Sequence, residues 1–119
     1  MIGRLASVVI DCPDPPTLAR FYSELLGLPI TQADDDWIDI SDGATRRLSF
    51  QLAPGHQPPQ WPDPGFPQQI HLDVKVDNVE DAERQVLALG AKPLDTDNDE
   101  SGFRVYADPA GHPFCLIFD

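Results

Sequence analysis

Apolar positions in this chain follow two periods, and the switches between them mark its elements. In residues 14–27, DPPTLARFYSELLG, Leu18, Phe21, Tyr22, Leu25 and Leu26 recur at i, i+3, i+4, i+7 and i+8. That spacing draws one stripe down an α-helix. Asp14 can cap this helix, Pro15 and Pro16 suit its first turn, and Gly27 can stop it. Residues 78–90, NVEDAERQVLALG, repeat the design, with Asn78 as cap, Gly90 as stop and Val79, Ala82, Val86 and Leu89 on one side. Elsewhere the period is two, as strands require. LASVVIDC precedes the first helix, and LPITQ, WIDIS and RLSFQLA follow it. IHLDVKVD precedes the second, and KPLDTD, FRVYA and PFCLIF follow. SDGAT and DPAGHP supply turn chemistry within the two halves. Each half reads β-α-β-β-β, which predicts an α+β protein of two tandem βαβββ modules.

The halves are in register with one another. Adding 64 carries Ser7 onto His71, Asp14 onto Asn78, and Phe50-Gln51-Leu52 onto Phe114-Cys115-Leu116, while Gly27 and Gly90 differ by 63. Between them runs APGHQPPQWPDPGFPQ, half of it Pro or Gly, a semi-rigid linker. The expected organisation is a single domain over 1–119: module one at 1–53, linker at 53–68, module two at 68–119. Each module leaves one sheet face to be buried against the other module or a second chain, so a homodimer is expected.

Alternation also sorts the strand faces. Leu72, Val74 and Val76 form an apolar face that should pack on helix, leaving His71, Asp73 and Lys75 opposite. Phe114, Leu116 and Phe118 likewise leave Cys115 opposite, and Phe50 and Leu52 leave Ser49 and Gln51. Ser7, Gln51, His71 and Cys115 thus fall at symmetry-related positions on a polar, concave surface. Trp37 shares a face with Asp39, where it could line the cup, pack in the core or meet a dimer partner; Arg104 and Tyr106 share a face and could hydrogen-bond an anionic or carbonyl group. Trp61, in the linker, either anchors the loop or stacks on a planar or cationic ligand. A Cys115–His71 pair would be a nucleophile if the imidazole lowered the thiol pKa. A small apolar filler is the commoner fate of a free cysteine.

Composition narrows the function classes. The 119 residues carry 20 acidic and 8 basic side chains, a formal charge of −12. Such a field repels phosphates, so nucleic acid is not an expected partner. No apolar run approaches the ~20 residues of a membrane span, and the first residues lack a signal-peptide cleavage site, so the expected compartment is the cytoplasm. Two cysteines, Cys12 and Cys115, make no disulfide framework.

The βαβββ repeat, FYSELLGLP in the first half and YADPAGHPFCLIF at the end resemble the vicinal oxygen chelate superfamily of glyoxalases, extradiol dioxygenases, fosfomycin-resistance enzymes and bleomycin-resistance proteins. The resemblance implies two modules whose mixed sheets curve into a cup. It also implies metal ligands on the first and fourth strands of each module, at Ser7, Gln51, His71 and Cys115. Only His71 keeps a usual ligand type there, since serine is a poor donor, glutamine offers a neutral oxygen and cysteine favours a soft metal. The expectation is a protein with no metal and no cofactor that binds a small, partly aromatic organic molecule in its cup. Ser7, Trp37, Asp39, Gln51, Trp61, His71, Asp73, Arg104, Tyr106 and Cys115 are its candidate contacts. Drug sequestration is the concrete form of that function. The alternative is a lyase, isomerase or dioxygenase working around His71, and no catalytic residue is assigned.

Overall fold

A computed structural model describes residues 1–119. The chain divides into two compact units, Met1–His56 and Gln57–Asp119. The first contains β1 (Val8–Cys12), α1 (Pro15–Leu26), β2 (Ile30–Ala33), β3 (Trp37–Ser41) and β4 (Arg47–Leu52). The second contains β5 (Leu72–Lys75), α2 (Val79–Ala88), β6 (Lys92–Asp95), β7 (Phe103–Ala107) and β8 (Pro113–Ile117). Two helices and eight strands thus form two four-stranded mixed sheets, ordered β1-β4-β3-β2 and β5-β8-β7-β6. The strands β1 and β4 pair in parallel, as do β5 and β8, and the remaining pairs are antiparallel.

Both helices start at the residues their sequences mark. The Asp14 carboxylate accepts from the Thr17 N–H (3.3 Å) and the Thr17 hydroxyl (2.7 Å), and Asn78 Oδ1 accepts from the Asp81 N–H (2.9 Å). Gly27 closes α1 in the left-handed region at φ +68°, a conformation without steric cost only for glycine. α1 buries Leu18, Ala19, Phe21 and Tyr22, with the Tyr22 ring stacked on Phe50 of β4 at 5.7 Å. In the second unit Val79 and Val86 of α2 are buried, and Tyr106 of β7 stacks on Phe114 of β8 at 5.6 Å. One 3₁₀ turn, Asp99–Ser101, falls where no element is expected from the sequence.

Both the DPAGHP turn and the linker are built in detail. Asp108 Oδ1 accepts from the N–H groups of Ala110 (2.8 Å) and His112 (3.0 Å), an Asx-type turn. Gly111 sits in it at φ +92°, and a Cβ there would lie 2.5 Å from Cβ of Pro58. The linker proline therefore seats directly on the turn's glycine. Gly111→Ala combines a disfavoured φ with a backbone-adjacent clash, so it should destabilise by about 1–3 kcal/mol. Urea unfolding should show the loss as a lower midpoint, with Gly55→Ala, which meets no atom within 4 Å, as the neutral control.

Candidate functional site

The register of the first sheet brings Ser7, Trp37, Asp39, Ser41, Arg47, Ser49 and Gln51 onto the face turned from α1, since Asp39 lies opposite Ser49 and Trp37 opposite Gln51. At its centre Asp39 is 1% exposed. Its Oδ1 accepts from Trp37 Nε1 (2.8 Å) and from the Ser49 hydroxyl (2.5 Å), and its Oδ2 accepts from the Arg47 guanidinium (2.5 Å). The hydroxyls of Ser49 and Ser7 are 2.7 Å apart. Ser49 has one proton and gives it to Asp39, so Ser7 is the donor in that pair. Burial alone would raise the Asp39 pKa, but the Ser49, Arg47 and Trp37 hydrogen bonds together hold it below the usual carboxylate value. Asp39 is therefore ionised at neutral pH, and its charge is matched by Arg47.

Beside this network the first unit has a cavity of about 610 Å³, with Asp39 and Arg47 in its wall together with Thr31, Gln32, Ser41 and Thr45. The Arg47 side chain stays 46% exposed while bonded to Asp39. Arg47 and Ser49, the residues that organise this wall, are absent from the contacts expected from sequence.

The second unit gathers a different set. Asp73 of β5 lies opposite Cys115 of β8, and His71 precedes β5 on the same face. The ligand atoms of His71, Asp73 and Cys115 all lie within 4.8 Å of one another, with His71 Nε2 3.3 Å from Asp73 Oδ1. Lys75, the next residue on that face, pairs with Asp119 at 2.6 Å. Burial pushes the Cys115 thiol up to about 11, and the Asp73 carboxylate adds to the shift. That direction is opposite to the one a Cys–His nucleophile needs.

Strand pairing also revises the internal equivalence. Val9 lies opposite Ser49 and Asp73 opposite Cys115, so the first strands correspond at an offset of 64 but the fourth strands at 66. The counterpart of Cys115 is Ser49, not Gln51. Arg104 and Tyr106 are not part of either polar face. They lie opposite Leu116 and Phe114, on the helix-covered side. There Arg104 donates to both oxygens of Asp99 (each 2.8 Å) and to Glu83. Its guanidinium is thereby held charged, first by the Asp99 hydrogen bonds. Burial and the nearby Glu83 charge push the Tyr106 hydroxyl up to about 12, against the lowering effect of Arg104. The Arg104 guanidinium is engaged by these acids, and the Tyr106 hydroxyl is buried without a hydrogen-bond partner. Trp61 is half-buried in the linker.

The four metal positions implied by the resemblance do not fit an ion as a set. The Ser7 hydroxyl is committed to Ser49, and Gln51 is displaced by two residues from the position equivalent to Cys115. Comparison with known proteins gives the lineage: the sequence profile of the glyoxalase-like domain matches residues 7–117. The chain belongs to the glyoxalase-like domain family. No curated protein sequence matches it. Among solved structures, this glyoxalase-like domain is similar to a glyoxalase/bleomycin resistance protein/dioxygenase family enzyme from Burkholderia phytofirmans, at 15% identity and TM-score 0.74, with 98% of each chain covered. A fosfomycin resistance protein from Mesorhizobium loti matches at 14% identity and TM-score 0.73, covering 98% of this chain and 92% of that one. The bleomycin-binding protein from Streptomyces verticillus matches at 19% identity and TM-score 0.56, covering 100% and 99%. These likenesses establish the vicinal oxygen chelate fold. No helix of the domain is long and apolar enough to cross a membrane.

Removing the Asp39 carboxylate strands three donors. Asp39→Ala should lower stability at pH 7 by roughly 1–3 kcal/mol. Because the folded pKa is depressed, the contribution is complete above the unfolded value and is lost as pH falls below about 4. Denaturant unfolding of the two proteins at pH 7 and pH 3 should therefore give a smaller difference at the lower pH.

Proposed function

We propose that this glyoxalase-like domain is a small-molecule binding protein, holding an organic ligand in the module-one cavity without a metal and without converting it, in the manner of drug sequestration. The observation that carries the reading is the inventory of the cavity wall. Its only ionisable side chains are Asp39 and Arg47, and they are hydrogen-bonded to each other. General-base chemistry needs a group with a proton-accepting site left for the substrate. Here the carboxylate is already surrounded by three donors. Thr31, Gln32, Ser41 and Thr45 supply neutral hydrogen-bonding groups, and Trp37 lies on the same sheet face with its indole N–H anchored to Asp39. A neutral compound bearing hydroxyl or amide groups fits this wall, and in this reading its aromatic part meets Trp37, which lies outside the wall itself. The copper(II)-bleomycin complex of the structurally similar Streptomyces protein supports a binding role on this fold. In this reading the domain works as a homodimer, and light scattering should return twice the chain mass.

The enzymatic alternative rests on the His71–Asp73–Cys115 cluster, and one experiment separates the two. With Trp61→Phe the remaining Trp37 becomes the reporter. Titration with polycyclic aromatic antibiotics and bleomycin-like glycopeptides should quench it, with chelator making no difference, and mass spectrometry should recover the compound unchanged. Calorimetry on Trp37→Ala should show binding weakened about two- to tenfold, the equivalent of ~0.5–1.5 kcal/mol for one aromatic contact. Absence of binding across the panel, or conversion of a bound compound that depends on His71, would replace sequestration with the enzymatic reading.

A further inference from the structure

The SDGAT hairpin and the strand ends it joins contribute Ser41, Gly43, Ala44, Thr45 and Arg47 to the module-one cavity. The turn is held in one shape. Asp42 Oδ1 accepts from the N–H groups of Ala44 (2.8 Å) and Arg46 (3.1 Å), and Ser41 Oγ accepts from the Gly43 N–H (2.9 Å). Strand pairing then sets Ser41 directly opposite Arg47, on the face that carries Asp39. What these groups still offer a ligand follows from the bonds they already make. The Ser41 oxygen is in use as an acceptor, and its hydroxyl proton remains to be donated. The Arg47 guanidinium is a fork of N–H donors, and Nη2 is the nitrogen that Asp39 takes up. Asp39 accepts from Trp37, Ser49 and Arg47 and is 1% exposed, whereas the Arg47 side chain is 46% exposed. A ligand therefore meets this ion pair from its donor end. Thr31, Gln32 and Thr45 can donate or accept, and do not set the polarity of the wall.

We infer that Ser41 and Arg47 form a two-donor station that selects ligands carrying an uncharged carbonyl oxygen, as in a planar cyclic ketone or amide. This assignment rests on the binding role proposed for the cavity and narrows the ligand class within it. A carbonyl oxygen has two lone pairs near its own plane, so it can accept from the hydroxyl and the guanidinium together. Charge decides between a carbonyl and a carboxylate. An unpaired arginine would favour the anion through its bidentate fork. Here the guanidinium is already matched by Asp39, in a chain of formal charge −12, so a second carboxylate would stand in the field of the first. A cation gains nothing from a pair of donors. The station also discriminates by omission. A ligand without the oxygen displaces water from Ser41 and Arg47 and leaves their protons unpaired, which costs more than the contact gains when it is made.

The test titrates the full chain, carrying Trp61→Phe so that Trp37 reports, with three probes built on one ring system: 4-quinolone, quinoline and 4-quinolone-2-carboxylate. At neutral pH 4-quinolone should bind about tenfold more tightly than quinoline, the scale of a hydrogen bond to a charged donor. The carboxylate should bind no more tightly than 4-quinolone. Arg47→Met should erase most of the 4-quinolone advantage and Ser41→Ala should reduce it about threefold, with quinoline affinity held within about twofold in both. The ratio of the two affinities isolates the carbonyl contact, since a merely structural loss would weaken both probes alike. Ser41→Ala leaves Asp39 its three donors, so it decides the matter even where Arg47→Met fails to fold by circular dichroism. Equal binding of 4-quinolone and quinoline, a ratio that neither substitution changes, or tighter binding of the carboxylate overturns the station and leaves the cavity reading standing. Silence of Trp37 toward all three probes is the failure of the cavity reading, and it removes the station as well.

Discussion

Each four-stranded sheet has one helix, and a helix covers one face. Most of what distinguishes this protein follows from that limit. Side chains alternate across a strand, so every second residue of the central strands is committed to helix packing and its neighbours to the other side. On the covered face the demand is apolar volume, met by Leu18, Tyr22 and Phe50 in the first unit and by Val86, Phe114 and Leu116 in the second. On the other face the chain was free to place polar groups. Because β1 pairs with β4 and β5 with β8 in parallel, the first and last strands of each unit lie side by side, and their polar residues meet.

The two units have used that freedom in opposite ways. The first has closed its polar groups into a network in which Asp39 accepts from Trp37, Ser49 and Arg47. Buried polar groups are tolerated when fully bonded, and a complete network is rigid. A rigid, neutralised wall is suited to shape recognition. In the second unit the corresponding face carries a partly exposed His71–Asp73 pair beside the buried Cys115 thiol. The same βαβββ plan thus carries a buried, carboxylate-centred network in one copy and a more exposed His–Asp pair in the other.

Much of this was legible in the sequence, for local reasons. Helix starts were written in Asp14 and Asn78, and the α1 stop in Gly27, because caps act over three or four residues. Strand faces were legible because alternation needs no knowledge of partners. Register was not. Copying the 64-residue offset into the fourth strand put Gln51 where Ser49 belongs, since two residues enter the repeat between the modules' first and last strands. The hairpin around SDGAT held the missing signal: a turn centred there sets Ser41 opposite Arg47 and therefore Asp39 opposite Ser49. The burial of Arg104 and Tyr106 was not legible for another reason. Arginine in an alternating strand reads as exposed, and only the acids brought by α2 and the 3₁₀ turn make a helix-side position tolerable for it.

That buried arginine constrains how the sequence can drift. Arg104 is 9% exposed, whereas the side chains of Glu83 and Asp99 are 24% and 49% exposed. Losing an acid first leaves a cation in the interior with too few partners, while losing the arginine first leaves carboxylates that water still reaches. The order of substitution is therefore not symmetric. A lineage that replaces this ion cluster with an apolar core can pass through an intermediate lacking Arg104 more easily than through one lacking Glu83 and Asp99. The cluster acts as a one-way ratchet on the divergence of module two.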